Sequence, residues 1–325
     1  MDISVILGNL LSAPVLFFFL GIMASMAKSD LHIPAPLPKL FSLYLLMIIG
    51  LHGGYELYHS SFTIDIASVL GACFIMASLV PIIAFFILKN KFEVADAAAM
   101  AATFGSVSAV TFITAVSFLE SQKIVFGGHM VAGLAIMESP AIIIGVIFYN
   151  LFYKKGDGAK KEIKWKEILH DSFFNGSIVL IIGALVIGYL AGEKGHKDMA
   201  PWEGIFKGML AFYLLDSGIE AYQRLKKLNK NVGFLIAFSI LFPLFNATLG
   251  ILISVYVLNL GVGDCMLFTI LCASASYIAV PAAMRLAIPT SNPVYTVPVA
   301  LGLVFPFNVI VGIPLYYYVI QLLVK

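Results

Sequence analysis

The chain reads as a succession of apolar runs separated by short polar breaks. A helix needs ~20 predominantly apolar residues to cross a bilayer. Ten runs predict such helices: residues 10–27, 39–57, 65–88, 95–118 and 129–153, then 173–191, 205–224, 232–258, 265–285 and 294–322. The one long polar stretch, KKGDGAKKEIKWKEILHD at 154–171, divides them into two sets of five. Pro34, Pro36 and Pro38 stiffen the first connection. The stretch from Arg285 to Pro293 reads as a hinge loop with a turn at Ser291-Asn292-Pro293.

Two of the runs carry polar patches. FGSVSAVTFITA (104–115) contains Ser106 and Ser108, and CASASYIAVPAA (272–283) contains Ser274 and Ser276. A constant offset lays Ser106 on Ser274, Ser108 on Ser276 and Ile113 on Pro281. GLHGGYEL (50–57) overlays LLDSGIEA (214–221), which matches Gly54 with Gly218 and Glu56 with Glu220. The last run of each half has a mid-span proline, Pro140 and Pro306. Five is odd, so the second half enters the membrane in the opposite sense. The pattern predicts an all-α integral membrane protein with a five-plus-five inverted repeat and two broken helices, a common construction for secondary transporters.

Composition agrees with a membrane solvent. Hydrophobic residues make up 61% and charged residues 12%, against roughly 45–50% and ~25% in soluble domains. Cys73, Cys265 and Cys272 fall in or near apolar runs, which argues against disulfides and cysteine-based metal sites. The start, MDISVILGNLLSAPVLFFFL, has no basic n-region, so the first run is expected to be a retained span.

Lysine and arginine set the orientation. With the connector on the cytoplasmic side, Lys28, Lys39, Lys89, Lys91, six lysines of 154–171, Arg224, Lys226, Lys227, Lys230 and Arg285 lie inside, which is 15 of the 20 basic residues. Lys123, Lys194, Lys197, Lys207 and Lys325 lie outside. Both termini are therefore expected outside, in a cell inner (plasma) membrane.

Breaking a helix in mid-membrane frees N–H and C=O groups, tolerated only where protein or water surrounds them. Freed N–H groups at a half-helix N-terminus attract anions, and freed carbonyls and hydroxyls suit Na⁺. The paired Ser-X-Ser breaks are thus a candidate site for an anion and Na⁺ together; the bland alternative is close helix packing by small residues. Glu138, in MESPA, sits mid-span. A carboxylate there costs at least ~2.5–3.5 kcal/mol on insertion scales, so it faces a cavity or a partner. Three roles stand open for it: Na⁺ ligand, proton carrier, or structural acid bonded to a freed amide near Pro140.

Glu220 and Arg224 predict a surface ion pair, and Asp216 lies deeper in its span. The histidines, His32, His52, His59, His129, His170 and His196, show no metal-site spacing. Tyr316, Tyr317, Tyr318, Trp165 and Trp202 read as interfacial anchors. No GxxxxGK[ST] or strand-linked GxGxxG is present, so ATP coupling on this chain is not expected and an ion gradient is the obvious drive. A Gly105-Ser106 nucleophile would need a base, and His129 at a span edge is a weak one, so no enzyme activity is expected.

FGSVSAVTF, SFLESQK, MESPA and especially ASASYIAVPAAMRLAIPTSNPVY resemble the sodium-dependent bicarbonate transporter family best known from cyanobacteria, across essentially the whole chain. The resemblance implies a homotrimer in which a core slides elevator-fashion against a gate. The gate comprises residues 1–58 and 173–231, the core 59–153 and 232–325, with 154–172 as cytoplasmic connector. It implies substrate binding at Ser106, Val107, Ser108, Thr111, Ser274, Ala275 and Ser276. Ion binding falls to Glu138, Ser108, Ser276 and Tyr277, with Na⁺ as coupling ion and no other cofactor. Glu138 matches a family acid that is typically Asp. Ser274-Ala275-Ser276-Tyr277 stands where the family has Ser-Ser-Ser-Asp, and Ala109-Val110 where Gly-Ser is familiar. These changes leave the pocket less polar and its substrate open. A PII-like regulatory partner often goes with a longer connector and is not assumed; no nucleic acid is expected as partner. The expected function is Na⁺-coupled import of a small inorganic anion, bicarbonate first. The alternatives are another monocarboxylate, or a non-transporting sensor or scaffold of the same fold.

Overall fold

The computed structural model describes residues 11–59, 63–153, 165–228 and 231–324. Among them all regular structure is helical. The first half contains α1 (Ala13–Met26), α2 (Pro36–His59), α3 (Ile64–Leu88), α4 (Val94–Gly105), α5 (Ala109–Ser121), α6 (His129–Glu138) and α7 (Pro140–Phe152). After it come α8 (Trp165–Phe173), α9 (Gly176–Glu203), α10 (Phe206–Leu225), α11 (Val232–Leu252), α12 (Val262–Ala273), α13 (Ala279–Ala287) and α14 (Pro293–Leu323).

Seven helical stretches among the described residues are long and apolar enough to cross a membrane: α2, α3, Val94–Ser121, His129–Phe152, α9, Val232–Val257 and α14. The other three expected runs are helical but differ in kind. The α1 helix has 14 residues. The α10 helix has 20 but carries Lys207, Asp216, Glu220 and Arg224. The run 265–285 is split into α12 and α13 by an extended segment. Val94–Ser121 is the most deeply enclosed of the long stretches.

The alanine-rich α4, in which every residue from Ala97 to Gly105 is buried, packs between α3 and α7. Its small side chains let backbones come close. At Gly145 of α7 a Cβ would stand 2.9 Å from that of Ala102, and at Gly105 one would strike the ring of Pro81, 2.5 Å away. In the other half α12 packs against α11 and α14.

Helices α1, α2, α9 and α10 form a second group, held by two reciprocal glycine contacts. A Cβ at Gly54 of α2 would lie 2.0 Å from the Leu185 carbonyl oxygen, and one at Gly188 of α9 would lie 2.2 Å from that of Leu51. Between α1 and α10 the same arrangement recurs: Gly21 would meet the Leu215 oxygen at 2.1 Å, and Gly218 that of Phe18 at 2.1 Å. Lipid tails provide no hydrophobic drive for helix association, so such close approach is a main source of cohesion. Gly54 and Gly218, matched by the sequence overlay, occupy corresponding places in the two contacts.

Some expectations need correction. The end of the polar connector carries a helix that the apolar runs did not mark: Trp165–Phe173 forms amphipathic α8, burying Ile168 and Ser172. Residues 154–164, with five of the connector's lysines, lie outside the described residues. Tyr316 and Tyr317 are not interfacial anchors. They are buried, Tyr316 donating to Asn308 Oδ1 at 3.1 Å and Tyr317 accepting from Gln321 Nε2 at 2.6 Å. They sit on the face of α14 that turns inward, where a hydroxyl finds protein partners. Trp165 and Trp202 are exposed. The Glu220–Arg224 pair forms at 3.4 Å. Asn292 Oδ1 accepts from Val294 N at 3.1 Å, making the turn expected before α14.

Candidate functional site

Each Ser-X-Ser segment interrupts a helix. Past Gly105 the chain becomes extended at Ser106 (φ −94°, ψ 173°), and α5 begins after Ser108. Ser274 adopts nearly the same geometry (φ −84°, ψ 173°) at the end of α12. Both serines still close their half-helix, with Ser106 N bonded to Ala102 O and Ser274 N to Ile270 O at 3.0 Å.

The two breaks are joined directly. Ser108 N donates to Ser274 Oγ at 3.0 Å, and Ser276 N donates to Thr103 O at 2.9 Å. The carbonyls orphaned at the half-helix ends are thereby partly satisfied from the opposite break. Asn308 completes the arrangement, its Nδ2 donating to Ala273 O at 2.9 Å. It is fully buried on α14, two residues beyond Pro306 at the start of the wide turn Asn308–Gly312. Wide turns of this kind recur at functional sites.

A small cavity of ≈30 Å³ lies at this junction. In one wall are Val107, Ser108, Ala109 and Val110, in another Ser276, Tyr277, Ile278 and Ala279. Glu138 and Leu134 of α6, Ser42 and Leu46 of α2 and Ser177 of α9 close it. Of the residues singled out in sequence, Val107, Ser108, Ser276, Tyr277 and Glu138 therefore converge. Ser106, Thr111, Ser274 and Ala275 are buried beside the cavity and are not among its lining. Ser106 Oγ donates to the Glu138 carbonyl at 3.1 Å, tying the first break to the end of α6.

The cavity combines two kinds of group. Ser108 Oγ caps α5 by accepting from Thr111 N at 3.2 Å. The first N–H groups of a helix have no intrahelical acceptor, and Ala109 and Val110, the first residues of α5, border the cavity. Ala279, the first residue of α13, and Ile278 just before it border the cavity from the other break. Opposed to these partial positive charges is the Glu138 carboxylate. Beside it lies the amide of Asn175, whose Oδ1 caps α9 by accepting from Ser177 N and Ile178 N at 3.0 Å. The Asn175 Nδ2 is buried without a partner at full hydrogen-bond distance. Tyr277 interacts with Ser108, and its hydroxyl stands 3.5 Å from that of Tyr213 on α10. Donors for an anion and oxygens for a hard cation thus share one enclosed space.

Asn308, Asn175, Ser177, Ser42 and Tyr213 were not anticipated. The first had a signal, a lone amide in the apolar run FPFNV; so had Asn175-Gly176-Ser177, an N-cap pattern before an apolar run. Ser42 and Tyr213 reach the cavity region only through the fold.

The sequence matches the family model of the Na⁺-dependent bicarbonate transporter superfamily over residues 13–321. The chain belongs to that superfamily. A search among individual curated proteins found no match. The superfamily match runs continuously through both breaks, Glu138, Asn175 and Asn308, so the whole junction lies within it. At family level the chain is thus a Na⁺-dependent bicarbonate transporter and a multi-pass membrane protein.

Proposed function

We propose that this chain imports a small anion, bicarbonate first, together with Na⁺, by elevator-type alternating access. The observation that carries this reading is the cavity where two broken helices meet a carboxylate. The amides opening α5 and α13, with the Ser108 and Ser276 hydroxyls, hold the anion; Glu138 and neighbouring oxygens hold Na⁺. Ser274 helps hold the two breaks in register and Ser106 ties the first break to α6, with Thr111 and Ala275 packed behind. Adding an anion and Na⁺ leaves the charge set by Glu138 unchanged, which favours moving both together. A cavity this small speaks against bulky ligands, which places bicarbonate ahead of larger monocarboxylates. Tyr277, in place of an acid, supplies a hydroxyl and no second negative charge.

In this reading α1, α2, α9 and α10 form the gate, and α3–α7 with α11–α14 form the core. The two glycine contacts of the gate and the two breaks of the core are paired elements of an inverted repeat. The cavity lies between the bodies, bordered by Ser42 and Leu46 on the gate side. The spread of basic residues supports a cytoplasmic connector, with both termini outside the plasma membrane. A homotrimer is proposed for the gate to stand still while the core moves.

Ligand-dependent thermal stability tests the binding part. A ligand at 100 times its dissociation constant stabilises by about 2.7 kcal/mol. Bicarbonate and Na⁺ together are expected to raise Tm more than their separate effects summed, with acetate and nitrate weaker. No bicarbonate effect at any Na⁺ concentration would contradict the assignment. Coupled binding without uptake into liposomes would instead identify a sensor.

A further inference from the structure

Toward the end of α2 proposed to face outside, beyond the Ser42 and Leu46 that border the cavity, the fold gathers residues that sequence spacing keeps far apart. Gly192 leaves helical geometry (φ 50°, ψ −141°) and bends α9. Beyond the bend His196 and Glu203, two turns apart on one face, meet His52 of α2. One ligand atom from each of His52, His196 and Glu203 lies within 4.8 Å of the others. His196 Nδ1 is 3.5 Å from Glu203 Oε1.

Two of the three are supported by neighbours. The His196 ring stacks on Tyr55 at 4.0 Å and 7°. Tyr44 donates its hydroxyl to the carbonyl of Trp202, anchoring the backbone beside Glu203. All three are about two-thirds buried, leaving a solvent-accessible side. His52 and Glu203 also border a cavity of ≈300 Å³ together with Glu120 and Lys207. Glu56, 3.9 Å from His52, adds a further carboxylate. Three carboxylates against one lysine make the neighbourhood favourable to a cation.

We propose that His52, His196 and Glu203 form a binding site for a divalent transition metal, Zn²⁺ by preference. Two imidazoles and a carboxylate with an open fourth position is a familiar zinc donor set, with metal–ligand distances of about 2.0–2.2 Å. Tetrahedral ligands at that range stand about 3.3 Å apart, so modest side-chain rotations close the site. The ≈300 Å³ cavity bordered by His52 and Glu203 leaves room for a fourth ligand. Such a metal joins α2 to the bent end of α9, and the assignment does not depend on the transport reading.

Isothermal titration of the full chain with Zn²⁺, purified without a polyhistidine tag, tests it. One Zn²⁺ per chain is expected, weakened at least ~10-fold in each of His52→Gln, His196→Gln and Glu203→Gln. Co²⁺ bound to the unaltered protein supplies a readout that needs no variant: strong visible bands of tetrahedral coordination are expected. Zn²⁺ affinity unchanged in all three variants, or only the weak spectrum of hydrated Co²⁺, would overturn the site.

Discussion

Serines that look alike in sequence do different work in the fold. Ser106 Oγ is committed to the Glu138 carbonyl, whereas Ser108 Oγ both caps α5 and faces the cavity. Ser106→Ala is therefore expected to lower stability by ~1 kcal/mol with little change in bicarbonate affinity. Ser108→Ala removes a cap worth about 1 kcal/mol and also a ligand group, so affinity should fall several-fold. Thermal melts and titration on both variants separate the two roles; equal loss of affinity would show the roles are misassigned. Asn308 gives a cleaner structural test. Asn308→Leu strips the Ala273 carbonyl of its buried donor and the Tyr316 hydroxyl of its acceptor. Each group left unsatisfied costs ~1–3 kcal/mol, so a clear drop in Tm is expected, with Tyr316→Phe much milder.

Helix pairs depend on which residues are absent as much as on those present. A methyl at Gly54 or Gly218 would occupy the space of a carbonyl oxygen on the partner helix, while Gly71 has nothing within 4 Å. Gly54→Ala and Gly218→Ala should each destabilise by more than the ~1–3 kcal/mol usual for overpacking, because backbone cannot yield as a side chain does. Gly71→Ala should be neutral or stabilising by ~0.5–1 kcal/mol. Thermal stability in detergent distinguishes them; a tolerated Gly54→Ala would mean α2 and α9 are not in close contact. At this scale the sequence was informative. Apolar run length located the seven long helical stretches, and the offset matched Gly54 with Gly218, each in close backbone contact, and Ser108 with Ser276, each at a helix break. What it hid depends on long-range placement. Nothing local tells that Tyr316 points inward, that Gly192 bends α9, or that Ser106 turns away from the cavity while Ser108 lines it. Apolar lipid and apolar protein select the same residues, so hydropathy cannot say which face of a span is buried.

The proposed motion concerns the molecule as a whole. Gly302 of α14 belongs to the proposed core and Leu225 of α10 to the gate, yet a Cβ at Gly302 would lie 2.6 Å from Leu225 Cγ. A Leu225→Cys/Gly302→Cys pair is near enough for a disulfide, which needs Cβ atoms about 3.5–4.5 Å apart. The three native cysteines are buried and free, so they compete little. Oxidation should stop uptake and reduction restore it; full uptake in the oxidised pair would rule out sliding of α14 along α10. The most direct test of the central claim is uptake of labelled bicarbonate by proteoliposomes with an imposed Na⁺ gradient. Uptake driven by inward Na⁺, and lost in Glu138→Ala and strongly reduced in Ser108→Ala, is the predicted result. Uptake indifferent to Na⁺ and unchanged in both variants would contradict it.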